Sequence, residues 1–350
     1  MYTPFGTNDI VTRQAQELVT STWTGNVNNL QTAFTASSQT DLFATPTSSG
    51  HFFIEVLDKD PLTDTTAEVQ YAVSYGHVDG SGSLDFTNDT GSFGLGASRV
   101  IYNQYRQLHY NDDTTNFMFG THIPDHIYVI NVNRARYKQK LTLGTLSLQI
   151  SGGFIGDATT NALGVVQLTD DSVTNGSSGD SNLGPFYNIV SGSNGVISGS
   201  SGINQTTSGS YGLFYPNAGL IILNPDQFTR GGLQPVTGSS QETNTDRNHV
   251  KLLNHISGAN QFIIDTTEEI NSQFYFVRAR NNEFNYTNNE SFVDSNHNLT
   301  NTSMIDNPKV FITTVGLYND GGELLGVAKL SQPVAKDFTK EALIRVKLDY

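Results

Sequence analysis

Apolar and polar residues alternate at period two along much of the chain, the spacing that sets one face of a strand against a core. HFFIEVLD (51–58), AEVQYAVSYGHV (67–78), HIYVINVN (126–133) and LTLGTLSLQISGGFIG (141–156) read this way. In the last of these, Leu143, Leu146, Leu148 and Ile150 share a face and Gly144 marks a bulge. QFIIDTT, QFYFVRAR, KVFITTVGLY, LLGVAKL and ALIRVKLDY complete the predicted strands. SYGLFYPNAGLIILNPDQF predicts a hairpin turned at Pro216-Asn217-Ala218-Gly219. A second hairpin is predicted in FITTVGLYNDGGELLGVAKL (311–330), turned at Asn-Asp-Gly-Gly. There Phe311, Thr313, Val315 and Leu317 form one face, opposed by Leu324 and Leu330. In ALIRVKLDY the alternation places Ala342, Ile344, Val346, Leu348 and Tyr350 on one side, and Arg345, Lys347 and Asp349 on the other. That last strand is expected to be ordered by its neighbours.

Two segments predict helices instead. Asn8 caps the first, which aligns Val11, Ala15 and Leu18 before TSTWTGN ends it. SRVIYNQYRQLHY is the second, with Ser98 as its cap and Ile101, Tyr105 and Leu108 at helical spacing beside Tyr102. Residues 171–212 are rich in Gly and Ser and predict a long loop or insertion, either a solvated excursion or an arm ordered by neighbouring subunits. An Asn-rich loop occupies 281–308. The pattern predicts a mainly β protein of sandwich-like sheets, a few short helices and long Gly/Ser/Asn-rich loops. The expected organisation is a β-rich domain over 1–170 with two short helices, the 171–212 insertion, and a β domain over 213–350.

Composition narrows the function classes. Charged residues make up only 15% of the 350, and the formal charge is −14, a field that repels phosphate backbones. No nucleic-acid partner is expected. The chain has no cysteine, which excludes disulfides and thiolate metal sites. MYTPFGTNDIVTRQAQ lacks a basic and an apolar signal region, and no apolar run approaches about 18 residues, so neither export nor a membrane span is expected. Asn88, Asn285 and Asn298 stand in N-x-S/T triplets, read as a consequence of abundant Asn and Thr.

Catalytic motifs are missing. G-x-S-x-G, P-loop and dinucleotide fingerprints do not occur, and GSFGLGAS (91–98) reads as a turn into the second helix. His122 and His126 are four apart, but Pro124 breaks a helix between them, so they read as loop histidines rather than a metal pair. LDKDPLTD (57–64) and VDGSGSLDF (78–86) offer carboxylates for calcium without EF-hand spacing. No enzyme activity, cofactor or metal is expected. The unusual charged feature is NRARYKQK (133–140), where Arg134, Arg136, Lys138 and Lys140 alternate. In an extended strand all four point one way. They form a solvated strand end, a stripe paired with the chain's own carboxylates, or a docking surface for a neighbouring acidic subunit. The single tryptophan, Trp23, lies by the first predicted helix and gives little support to a glycan groove.

The terminal NPKVFITTVGLYNDGGELLGVAKLSQPVAKDFTKEALIRVKLDY resembles the endings of virion structural proteins of T4-like contractile-tailed phages, cyanophage type. HIYVINVNRARYKQKL and QFYFVRARNNEFNYTNN fit the same resemblance. It implies a non-enzymatic virion subunit, foremost of the baseplate or tail, bonding to other virion proteins in a multi-copy symmetric assembly. Neck or collar, fibre-attachment and capsid-associated positions, or a receptor- or carbohydrate-binding adhesin, are the alternatives. The expected location is the virion, assembled in the host bacterial cytoplasm, where absence of cysteine is no handicap. The residues expected to make assembly contacts are Arg134, Arg136, Lys138, Lys140, Ile344, Val346, Leu348 and Tyr350.

Overall fold

Strand accounts for 46% and helix for 14% of the computed structural model, a mainly β protein as the alternation predicts. Residues 4–30, 34, 53–83, 96–151, 165–198, 210–228, 233–237, 248–259, 261–286 and 291–349 are described. In chain order the strands begin with β1 (Ile10–Ser21), β2 (Phe53–Leu57), β3 (Val69–His77), β4 (His126–Val132), β5 (Lys140–Leu141) and β6 (Ser147–Ser151). Next come β7 (Val165–Asp170), β8 (Gly179–Ser181), β9 (Gly184–Ser193), β10 (Val196–Ile197), β11 (Gly212–Tyr215) and β12 (Leu220–Leu223). The series closes with β13 (Phe262–Ile263), β14 (Asp265–Ala279), β15 (Val310–Tyr318), β16 (Leu324–Lys336) and β17 (Ala342–Asp349). The helices are α1 (Ala97–Tyr110), α2 (Ser172–Asn175) and α3 (Asn248–Ser257). Two compact units form, Leu18–Glu268 and Met1–Glu17 with Glu269–Tyr350, a different division from the expected 1–170 and 213–350.

The larger unit is built on a curled antiparallel sheet in the order β13-β6-β7-β9-β11-β12-β4-β3-β2, with β8 and β10 also paired to β9. Register aligns Ile54, Val73, Ile130, Ile221, Phe214 and Tyr187 as one row across six strands. All six are buried in one core cluster. Their burial contributes on the order of 10 kcal/mol before the entropy of ordering. Neighbouring residues of the central strands, Val129, Leu213, Leu220 and Ile222, face the opposite way into a second cluster with Ile101, Tyr102 and Tyr105 of α1. Leu252, Leu253 and Ile256 of α3 join the first cluster. Both faces of the sheet centre are therefore dry, which is why HIYVINV and LIIL read as nearly unbroken apolar runs. The turn Pro216–Gly219 joins β11 to β12 where the sequence places it, and Gly219 adopts a φ of 64°.

α1 forms where expected, but its cap and its stripe differ. Gly96 is the N-cap and supplies no side chain; Ser98 lies inside the helix and donates to the Ser81 carbonyl at 2.9 Å. Ser83 takes the capping role, accepting the Ser98 N–H at 3.0 Å. The buried stripe runs through Ile101, Tyr102, Tyr105 and His109, while Leu108 is exposed. Both stripes satisfy helical spacing, and the direction of the sheet selects one. The first predicted helix is instead β1. Ile10, Val11, Thr12, Val19 and Thr20 are β-branched and stiff, and β14 offers a strand edge to pair with. Trp23 sits in the core against Phe262, its indole N–H donating to the Phe262 carbonyl at 2.8 Å. Gly144 sits in a turn at a φ of 74°, outside any strand.

Within 171–212 the described part is mostly strand rather than loop, holding α2, β8, β9 and β10; residues 199–209 lie outside the described set. Tyr187, Ile189 and Val190 bury enough apolar surface to anchor β9 despite the Gly/Ser background. Glycine has a positive use there, since a Cβ at Gly192 would stand 2.1 Å from the Val196 carbonyl oxygen of the returning strand.

In the smaller unit β14 pairs antiparallel with β17, matching Val277 to Ile344 and Tyr275 to Val346. The β15–β16 hairpin covers that sheet, and Val315, Leu317, Ile344 and Val346 bury together with Ile312, Ala328 and Leu330 around them. The result is a two-layer β-sandwich. The turn closes as Asn319-Asp320-Gly321-Gly322, with the Asn319 side chain accepting the Glu323 N–H at 2.8 Å and Gly322 at a φ of 78°. A register shift between Ile312 and Thr314 breaks the simple alternation. Ile312 thus turns inward, whereas Phe311 and Thr313 are exposed; Leu324, next to a second irregularity, is exposed too. Lys336 at the end of β16 is buried and donates to the Asn281 carbonyl and the Asn285 side chain.

Ile344→Ala is expected to destabilise the smaller unit by roughly 2–4 kcal/mol. Deleting 342–350 is expected to abolish its folding. Hydrogen exchange of β14 amides reads both, and retained protection after the deletion would contradict the role given to β17.

Candidate functional site

The four basic residues do not form a stripe. Asn133 accepts the Ala135 N–H with its side chain at 2.9 Å and bends Arg134–Arg136 into a 3-10 turn, which ends the extended run. Arg134 donates to the Tyr137 carbonyl at 2.6 Å and stacks 4.6 Å over the Tyr137 ring. Arg136 donates to Thr24 and pairs with Glu68 at 2.6 Å. Lys138 is exposed, and its backbone N–H bonds Thr266 at 2.7 Å; Lys140 belongs to β5, opposite Thr267. Arg134 and Arg136 are thus committed to bonds within the chain. In β17, Ile344 and Val346 are core residues, Leu348 is part-exposed opposite Gln273, and Tyr350 lies outside the described residues.

His122 and His126 come together on a partner that no local motif announces. The β4–β12 register sets Tyr128 opposite Leu223, so the chain leaving β12 passes beside the residues entering β4. There Pro225–Gln227 makes a 3-10 turn capped by Asn224, whose side chain accepts the Asp226 N–H at 3.1 Å. The Asp226 carboxylate receives His122 Nε2 at 2.7 Å on one oxygen and His126 Nε2 at 2.9 Å on the other. Hydrogen bonds from His126 first and His122 second hold its pKa at about 2, against the opposing effect of burial. An ionised carboxylate only accepts, so each imidazole carries its proton on Nε2.

His77 stands opposite His126 in the β3–β4 register, its ring centroid 6.0 Å away. Its Nδ1 accepts the Asp79 N–H at 3.0 Å, and burial, reinforced by His126, lowers its pKa. The cluster is a carboxylate clamp between a loop and a turn. Among the described residues no group of three or more His, Asp or Glu is placed to hold a metal ion. In the Asp-rich piece 57–64, Asp60 and Asp64 accept the N–H groups of Leu62 and Thr66 as turn formers.

The smaller unit offers a different kind of site. On the outside of the hairpin, Tyr318, Leu324, Leu325 and Val327 are exposed, Leu325 by 70%. Gly316 opposes Val327, and a Cβ there would stand 2.9 Å from the Tyr318 ring, so glycine lets that ring lie across the strand. On the outside of the β14–β17 sheet, Leu343 is 68% exposed, and Arg345 stacks 5.3 Å over Phe274. Aromatic, aliphatic and arginine side chains on exposed sheet faces make a contact surface.

No protein-family model matches the chain, and no curated protein or solved structure matches it either. Among the described residues no helix is long and apolar enough to cross a membrane.

Asp226→Asn is expected to lower stability at pH 7 by about 1–3 kcal/mol. Because the folded pKa is depressed, the native advantage is full above the ordinary pKa of 3.8 and disappears as pH falls towards about 2. Urea melts of both proteins across that range measure the convergence. Arg136→Glu is expected to lower the thermal midpoint, while Lys138→Glu leaves it unchanged; equal effects would contradict the separate roles given to the two cations.

Proposed function

We propose that this chain is a structural subunit of a contractile-tailed phage particle, in its baseplate or tail, working through contacts with other virion proteins. The supporting observation is the outer surface of the smaller unit, where Phe311, Leu324, Leu325, Val327 and Leu343 are exposed on both sides of a thin sandwich. Leaving that much apolar side chain in water is unfavourable, and such surfaces serve as contact sites. The resemblance of residues 307–350 to virion protein endings falls on this same unit. The reading assigns the contacts to the smaller unit's sheet faces and no longer to the 134–140 segment. It places the protein in the virion after assembly in the host cytoplasm, and it invokes no catalysis and no cofactor.

Electron microscopy of the intact particle is expected to show density for the chain in the tail assembly, with the β15–β16 hairpin against a neighbouring subunit. A particle whose tail and baseplate density is wholly accounted for by other chains would overturn the reading.

A further inference from the structure

We infer that the outer face of the β15–β16 hairpin pairs with the same face of a second copy about a two-fold axis. The inference rests on the assembly role proposed above and names the partner for one of its surfaces.

The whole chain carries a formal charge of −14, so two copies repel unless their contact is locally balanced. The hairpin supplies that balance in linear order. Asp320 is exposed in the turn; Tyr318, Leu324, Leu325 and Val327 form the apolar middle; Lys329, opposite Thr314, is exposed beyond them. At about 3.4 Å per residue, Lys329 lies about 7 Å to one side of the Gly316–Val327 pair. The turn begins a similar distance to the other side, beyond the Tyr318–Leu324 pair.

A two-fold axis through the apolar middle runs the hairpins in opposite directions. Each Lys329 then meets the other copy's Asp320, and the apolar patches cover one another. An isologous contact requires such self-complementarity, since whatever residue i meets on the partner must meet i in return. A parallel, in-register pairing would set Asp320 against Asp320 and Lys329 against Lys329, so the charge order selects the antiparallel arrangement. Gly316 contributes by keeping the centre of the face low enough for close approach of the Tyr318 and Val327 side chains.

Sedimentation equilibrium of the full chain tests the pairing. The wild type is expected to form a dimer. Lys329→Glu is expected to weaken it at least tenfold, about 1.4 kcal/mol of association free energy. Adding Asp320→Lys to that variant restores the opposite-sign contact and the dimer. Both positions are exposed, so circular dichroism should show every variant folded. A wild type that stays monomeric at about 100 µM, weaker than the micromolar range of specific pairs, overturns the pairing. So does a Lys329→Glu dimer of undiminished affinity. A monomeric chain still found in the tail would overturn the pairing and leave the structural role standing. A dimer that Lys329→Glu breaks, from a chain missing in the particle, would support the pairing and overturn that role.

Discussion

The row Ile54, Val73, Ile130, Ile221, Phe214 and Tyr187 is the constraint on which the larger unit depends. A slip of one residue in any of these pairings would turn an apolar residue out of its cluster and bring its neighbour in. At the edge that exchange is costly, because β2 alternates buried Ile54 and Val56 with less buried residues. At the centre both faces are dry, so slippage would be cheaper there were it not for the residues beyond the strands. Tyr128 donates to the Leu233 carbonyl, and His126 reaches Asp226; both bonds fit only the observed register.

The histidine clamp is thus a consequence of strand pairing. Asp226 lies 100 residues from His126 in sequence, and only the antiparallel match of β4 with β12 brings the chain after Leu223 beside the chain before Tyr128. The clamp then fixes the loop that leads into β4. Energetically it is a local hydrogen-bonded network whose carboxylate stays ionised, and its site is open enough that water screens part of its charge. The smaller unit follows a different economy. Its apolar cluster is four buried side chains and a ring of partly buried ones, and much of its remaining apolar surface points outward. A stable fold with so small a centre gains from surfaces that neighbours cover, which links its packing to the assembly role.

Period-two alternation located most strands, because it records which side of a ribbon meets water whatever the ribbon's partners are. The two turns, Pro216–Gly219 and Asn319–Gly322, were equally legible, since Gly at positive φ is a local requirement. α1 was legible as a helix, but its stripe and cap were not, because Ser83 and the sheet direction are supplied from elsewhere. β1 was misread because Val11, Ala15 and Leu18 satisfy helical spacing, while its strand state comes from pairing with β14. β9 was misread because composition averages over Tyr187, Ile189 and Val190, which carry its burial.

By itself, then, the sequence determined a β-rich chain, its turns, and the apolar faces of its regular strands, all of which arise from interactions within a few residues. Tertiary structure alone decided the division into units, the fate of the 134–140 cations, and the meeting of His122 and His126 on Asp226. It also decided that Phe311 faces out and Ile312 faces in, through one register shift. Each of these depends on which strand lies beside which, and pairing between distant segments leaves no periodic trace in either one.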